Sequence, residues 1–94
     1  MNGMKFEWDE TKNRLNKAKH GISFEVAARV FTDPWRIEYY DEAHSTEEDR
    51  WITIGMVCPA ILVVIYTERK NGEYLRLISA RQANEKERQA YHQF

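Results

Sequence analysis

Ile61-Leu-Val-Val-Ile-Tyr66 is apolar at every position, and Asn71-Gly72 follows it closely. An unbroken apolar run of strand length offers no face to water, so it reads as the central strand of a sheet covered on both sides. Asn-Gly is a strong hairpin signal because both residues accept positive φ. It joins the run to Tyr74-Leu-Arg-Leu-Ile-Ser-Ala-Arg81, whose β-branched and apolar content also suits a strand. The pair is therefore antiparallel, and the rest of the chain must be arranged around it.

Lys5 to Trp8 alternates polar and apolar and reads as a short strand. Asp9 then supplies an N-cap for a helix reaching His20, with Gly21 as its stop. Only Leu15 and Ala18 are plainly apolar there, which predicts a thin buried stripe and a broad basic face. Ser23 caps a second helix with Phe24, Ala27, Ala28 and Phe31 on one side, and Asp33-Pro34 ends it. Trp35 to Tyr39 can be a strand, Asp41 to Asp49 is a polar loop, and Arg50 to Val57 is a strand closed by a Cys58-Pro-Ala turn. Asn84-Glu-Lys-Glu87 resembles a capping box, opening a helix whose sparse apolar face is Ala83, Ala90, Tyr91 and Phe94. The order β-α-α-β-β-β-β-α predicts one α+β domain over residues 1–94. Its small antiparallel sheet has two N-terminal helices packed on one face and a C-terminal helix.

A chain of 94 residues, 43% hydrophobic and 13% aromatic, is large enough for one core and too apolar for disorder. No run approaches the roughly 20 apolar residues of a membrane span. The N-terminus shows no secretory h-region, Met4 offers a second start, and the single Cys58 fits a reducing compartment. A cytoplasmic protein with no membrane role is expected. Its net charge of −1 conceals segregation. Residues 11–22 carry Lys12, Arg14, Lys17 and Lys19 with no acid, whereas residues 33–49 carry seven acids against Arg36 alone. Local fields of this kind steer partners even when the net charge is small.

Arg76 lies inside a strand and Arg81 at its end. Arginine on a half-buried strand is costly unless its guanidinium meets an anion, and phosphate fits the planar fork best. Lys19-His20 places a fixed charge beside the one side chain that ordinarily titrates near neutral pH. These are the residue types needed to bind and cut a phosphodiester without a metal. The plainer readings are a helix-end role for His20 and an ion pair from Arg76 to Glu68 or Glu73. Strict alternation puts Arg76 and Arg81 on opposite faces, so they converge only if the strand bends or ends near Ser79-Ala80.

Phe6-Glu-Trp-Asp9, Lys12, Asn16, Lys19-His-Gly-Ile-Ser-Phe-Glu25, Ala27, Val30-Phe31 and Asp33-Pro34 resemble the opening pattern of the BrnT family. Arg50-Trp-Ile-Thr-Ile-Gly55, Val63-Val64, Thr67-Glu68-Arg69 and Arg76-Leu-Ile-Ser-Ala-Arg81 resemble its second half. The resemblance implies a RelE-like fold and the toxin of a type II toxin–antitoxin pair. Such a toxin is a ribonuclease neutralised by a BrnA-type antitoxin that itself binds DNA, so that the toxin meets DNA only indirectly. Carried onto matching positions, it marks Lys19, His20, Arg76 and Arg81 as catalytic candidates, with Lys12, Glu68 and Arg69 as RNA-binding candidates.

Metal-free RNA cleavage uses the neighbouring 2′-hydroxyl as nucleophile and needs a base, an acid and cations for the phosphorane charge. His20 would move protons, Lys19 would hold the scissile phosphate, and Arg76 and Arg81 would clamp it. His44-Ser45 is a further candidate proton carrier. No cofactor is expected. His20, His44, His92 and Cys58 lack metal-ligand spacing, and Asp41, Glu42 and Glu47–Asp49 read as a solvated loop. Cys58 has no evident activating base, and Trp8, Trp35 and Trp51 are core aromatics more readily than base-stacking platforms. Two rival functions use the same surfaces: a non-catalytic RNA- or ribosome-binding module, and a protein-interaction domain.

Overall fold

Side-chain caps set the helix starts. Asp9 Oδ1 accepts from the Lys12 amide at 3.1 Å, and Gly21, at φ 77°, closes the helix by donating to the Lys17 carbonyl. Asn84 and Glu87 exchange side-chain and backbone bonds at 2.8 and 2.9 Å, the full capping box the sequence promised. The computed structural model describes residues 4–93 and orders them as β1 (Lys5–Glu7), α1 (Glu10–His20), α2 (Phe24–Ala27), β2 (Ile37–Tyr40), β3 (Trp51–Val57), β4 (Ala60–Arg69), β5 (Tyr74–Gln82) and α3 (Glu85–Tyr91). Phe94, expected on the apolar face of α3, lies outside the described residues.

The strands form one sheet in the order β1-β5-β4-β3-β2, so β4, which contains the apolar run, is central. The β2–β3, β3–β4 and β4–β5 pairs are antiparallel, but β1 runs parallel to β5, which corrects the expectation of a purely antiparallel sheet. No tight turn links β1 to β5. Nearly the whole chain lies between them, so hairpin geometry does not set their relative direction.

Alternation along β4 explains its double apolarity. Leu62, Val64 and Tyr66 join Leu75, Leu77 and Ala80 of β5 and are covered by Phe24, Ala27, Val30 and Phe31. Ile61 and Val63 join Ile54 and are covered by Ala83 and Tyr91. Fully burying each such Leu, Val or Ile contributes about 1.5–3 kcal/mol. The second helix is α-helical only from Phe24 to Ala27 and continues as a 3₁₀ helix over Ala28–Thr32. Phe24, Ala27 and Val30, three apart, are buried where the sequence pattern had pointed to Ala28. Three residues per turn is the 3₁₀ repeat, and it aligns these side chains toward the sheet. Asp33 Oδ1 accepts from the Trp35 amide at 2.9 Å, a turn that delays β2 to Ile37.

The buried stripe of α1 is not the expected one. Leu15 is 64% exposed, and the buried positions are Asn13 and Asn16. β1 pairs only with Tyr74–Arg76, so the outer edge of β5 beyond Arg76 has no strand neighbour. Asn16 takes that place. Its Oδ1 accepts from the Ala80 amide at 3.2 Å while Nδ2 donates to the Ala80 and Ile22 carbonyls at 2.8 and 2.9 Å. Asn13 Oδ1 accepts from the Phe24 amide at 2.7 Å and ties α1 to α2. Buried amides are tolerated here because their polar atoms find partners.

Candidate functional site

Strand β5 carries one residue more than its partner. Tyr66 pairs with Leu77 and Ile65 with Ser79, which leaves Ile78 as a bulge. The extra residue resets alternation. Arg76, opposite Thr67, and Arg81, opposite Val63, therefore emerge on the same sheet face, the one shared with Ile61 and Ile65. The bulge lies beside Ser79-Ala80, where strict alternation had to fail for the two to share a face, but Arg76 does not reach the groove that Arg81 lines.

α3 covers that face only at the Ile54, Ile61 and Val63 end. At the other end Ile52, Ile65 and Ile78 are half-buried and form the floor of a groove of about 430 Å³. Its polar lining is Asp41, His44, Arg50, Ser79 and Arg81. The loop between β2 and β3 brings the first three together. The Asp41 amide donates to the Arg50 carbonyl at 2.9 Å. Ser45 Oγ accepts from the Arg50 amide at 2.8 Å and donates to the Asp41 carbonyl at 2.6 Å. One hydroxyl thus stands in for missing backbone partners and fixes both ends of the loop.

Within that loop Asp41 is buried, and His44 Nδ1 lies 3.1 and 3.2 Å from its two carboxylate oxygens. The imidazole itself is largely exposed along the groove. Of the two groove arginines, Arg50 is the less satisfied. Its Nε is buried without a hydrogen-bond partner, and its nearest carboxylate is Glu48 at 3.9 Å. Arg81 is the opposite case, with Nη1 and Nη2 donating to the two carboxylate oxygens of Glu87 at 2.8 Å each. That hydrogen-bonded pairing outweighs burial, raising the Arg81 pKa and holding the Glu87 carboxyl below its usual range. Tyr39 stands alongside: burial, then the Glu87 and Asp41 carboxylates, push its hydroxyl up against the opposing effect of Arg81.

The other sequence candidates are dispersed. Arg76 Nη1 donates to Glu7 at 2.9 Å, and Arg69 approaches the same carboxylate at 3.9 Å, so its partner is neither Glu68 nor Glu73. Lys19 is exposed and His20 half-buried in the last turn of α1. Neither lines the groove nor forms a side-chain bond to another described residue. Lys12 is exposed on the same helix. Glu68 faces a separate pocket with Asp49, Thr67 and Asn71. Among the described residues no three His, Cys, Asp or Glu side chains stand close enough to hold a metal ion. Sequence reasoning noticed His44 but missed Asp41, Arg50, Tyr39 and Ser79 as its neighbours. The one available signal was Ser45, a hydroxyl able to close the acidic loop.

Fold and groove together define a small α+β protein with a cation-bearing cleft, edged by an imidazole, on the uncovered end of one sheet face. A family model described as the ribonuclease toxin, BrnT, of type II toxin–antitoxin systems matches residues 8–87. The chain belongs to that family, as its motif pattern indicated. Among individually curated proteins none is similar enough to count as a match.

Proposed function

We propose that this toxin is a metal-independent endoribonuclease that cuts RNA in the groove by attack of the 2′-hydroxyl on the adjacent phosphorus. The products are a 2′,3′-cyclic phosphate and a 5′-hydroxyl. The observation that carries this reading is convergence: the β5 bulge and the Ser45-closed loop bring Arg81, Arg50 and an imidazole to one cleft. Cations preorganised around developing charge are the largest contribution such a site can make. Arg81 keeps the phosphate-binding role expected from sequence. Lys12, Lys19, His20, Arg69 and Arg76 act at longer range as a basic approach for the RNA backbone.

Family membership supports RNA as substrate and an antitoxin protein as partner. The finer reading is a BrnA-like antitoxin that carries the DNA contact and neutralises the toxin by covering the groove and the basic side of α1. The element order and the single sheet support a RelE-like architecture. An RNA substrate, the lone exposed Cys58 and the lack of any described helix able to cross a membrane support a cytoplasmic site of action.

The test is incubation of purified toxin with a labelled single-stranded RNA, with and without EDTA, and with a 2′-deoxy substitution at the cut position. Cleavage unaffected by chelator and blocked by the 2′-deoxy residue is expected. Loss of cleavage in EDTA would overturn the metal-free mechanism. Growth arrest with intact RNA would favour a non-catalytic RNA- or ribosome-binding module.

A further inference from the structure

We infer that His44, oriented by Asp41, is the proton carrier of this groove and that Arg50 is its principal phosphate cation; the inference rests on the ribonuclease reading and names the groups that perform it. The chemistry follows from which atoms are already engaged. A carboxylate that is ionised can only accept, so the His44 nitrogen beside Asp41 carries a ring proton, and Nε2 faces away from the carboxylate, free to exchange a proton with substrate. Asp41 is well placed to hold that tautomer. It is buried, its backbone is pinned to Arg50 and Ser45, and His44 is the side chain that satisfies its carboxylate.

The choice between the two groove arginines rests on the same reasoning. Arg81 has both terminal nitrogens committed to Glu87, and Glu87 is itself fixed as the reciprocal partner in the α3 capping box. Arg50 forms no side-chain hydrogen bond to a described residue, and one of its donors is buried without a partner. A buried, unsatisfied donor on a cation is unfavourable unless an anion completes the site. A phosphate in the groove supplies that anion. The isoleucine floor keeps the surroundings apolar, which strengthens the interaction.

In the step itself the 2′-hydroxyl passes its proton to His44 Nε2 as the 2′-oxygen bonds to phosphorus. The bond from phosphorus to the 5′-oxygen breaks, the departing oxygen takes a proton from water, and the imidazolium releases its proton to solvent. No atom is added and no electron is exchanged. Arg50 bears the extra negative charge of the phosphorane. His44 and Arg50 thus touch the substrate, whereas Asp41 is a positioning residue that acts through the imidazole.

The experiment compares wild type with His44→Ala, His20→Ala, Asp41→Asn and Arg50→Ala on one labelled single-stranded RNA, each variant first shown by thermal melting to be folded. His44→Ala is expected to cut on the order of 10²–10⁴-fold more slowly, the usual contribution of a positioned acid or base, and to recover part of that rate in added imidazole. Asp41→Asn should lower kcat while leaving KM near the wild-type value, because an amide, able to accept or donate, no longer enforces one tautomer and does not touch RNA. Arg50→Ala should lose on the order of 10²–10³-fold in kcat, by analogy with a lost oxyanion donor, and gain nothing from imidazole. If His44→Ala cuts at the wild-type rate, or if His20→Ala is the variant that imidazole rescues, the assignment falls while the ribonuclease reading survives. If wild type leaves RNA intact, the ribonuclease reading falls and takes the assignment with it. Should His44→Ala unfold, Asp41→Asn and Arg50→Ala decide: wild-type kcat in both overturns the proposal.

Discussion

At the scale of single residues, Arg81 holds two elements together. Its bidentate pair with Glu87 ties β5 to the first turn of α3, and in the proposed site an incoming phosphate would compete for the same guanidinium. Arg81→Ala should slow RNA cleavage roughly tenfold, about 1.4 kcal/mol of barrier, less than Arg50→Ala because Glu87 already engages both of its terminal nitrogens. Arg81→Lys should recover only part of this, since a point charge does not reproduce the fork. Glu87→Gln separates the two roles. The amide oxygen can still accept from the Asn84 amide, but the negative charge on Arg81 is gone. Binding of an uncleavable 2′-O-methyl RNA, followed by fluorescence anisotropy, should tighten several-fold in Glu87→Gln. Weaker binding would show that Glu87 assists the site instead of competing for it.

At the scale of elements, the pairing of α1 with β5 depends on amide chemistry where apolar packing was expected. Asn16 satisfies both backbone groups of Ala80 on an edge that β1 is too short to reach. Removing the amide leaves a buried N–H and C=O unpaired at about 1–3 kcal/mol each, so Asn16→Ala should lower unfolding stability by about 2–6 kcal/mol in a urea melt. Asn16→Leu discriminates between mechanisms. It restores buried volume without the hydrogen bonds and should be comparably unstable; a leucine variant as stable as wild type would show that bulk, not bonding, holds the helix. Because the amides provide the anchor, Leu15 and the lysines of α1 stay exposed, which keeps a basic surface beside the sheet. Gly55 has the complementary role on β3: a Cβ there would meet Val30 Cγ2 at 2.6 Å, so its absence lets the 3₁₀ segment lie close on the sheet.

For the molecule as a whole, two carboxylates link the C-terminal helix to the rest. Asp33 Oδ2 accepts from the Tyr91 hydroxyl and, at 2.8 Å, from the Met56 amide, joining α3, β3 and the end of the 3₁₀ segment. Burial pushes the Asp33 carboxyl up, but the bonds from Tyr91, Met56 and Trp35 prevail and hold it below its ordinary value of 3.8. The Glu87 carboxyl is likewise held below 4.5, by Arg81 first. Both groups bind fewer protons when folded than when unfolded, so stability rises with pH through this region. It is fully present above the unfolded values and is lost as pH falls through the lowered folded ones. Unfolding free energy should therefore be flat from about pH 5.5 to 7 and decline below about pH 4.5. Glu87→Gln should shallow that decline; an unchanged pH dependence would mean that the Arg81 pair contributes nothing to it.

The order of elements, the caps of α1 and α3, the central place of β4 and the hairpin into β5 were legible in the residues alone. Those features are encoded in contiguous residues: an apolar run, an Asn-Gly step, a capping box. The family was legible for the same reason, because its motifs are ordered along the chain. The direction of β1 and the burial of Asn16 were set by the packed fold, since both depend on β5 residues more than 60 positions away, whereas Asn13 is buried by its bonds to Phe24 and Glu25 at the start of α2. The groove is the clearest case. Period-two alternation, which is reliable within an unbroken ladder, placed Arg76 and Arg81 on opposite faces; one bulged residue at Ile78 put them on the same face. A loop that looked like solvated acid instead holds a buried carboxylate, an imidazole and a guanidinium whose Nε has no hydrogen-bond partner, because Ser45 satisfies the backbone at its two ends. Strand register and the particular partners of polar side chains make these choices, and residue preference alone does not specify either.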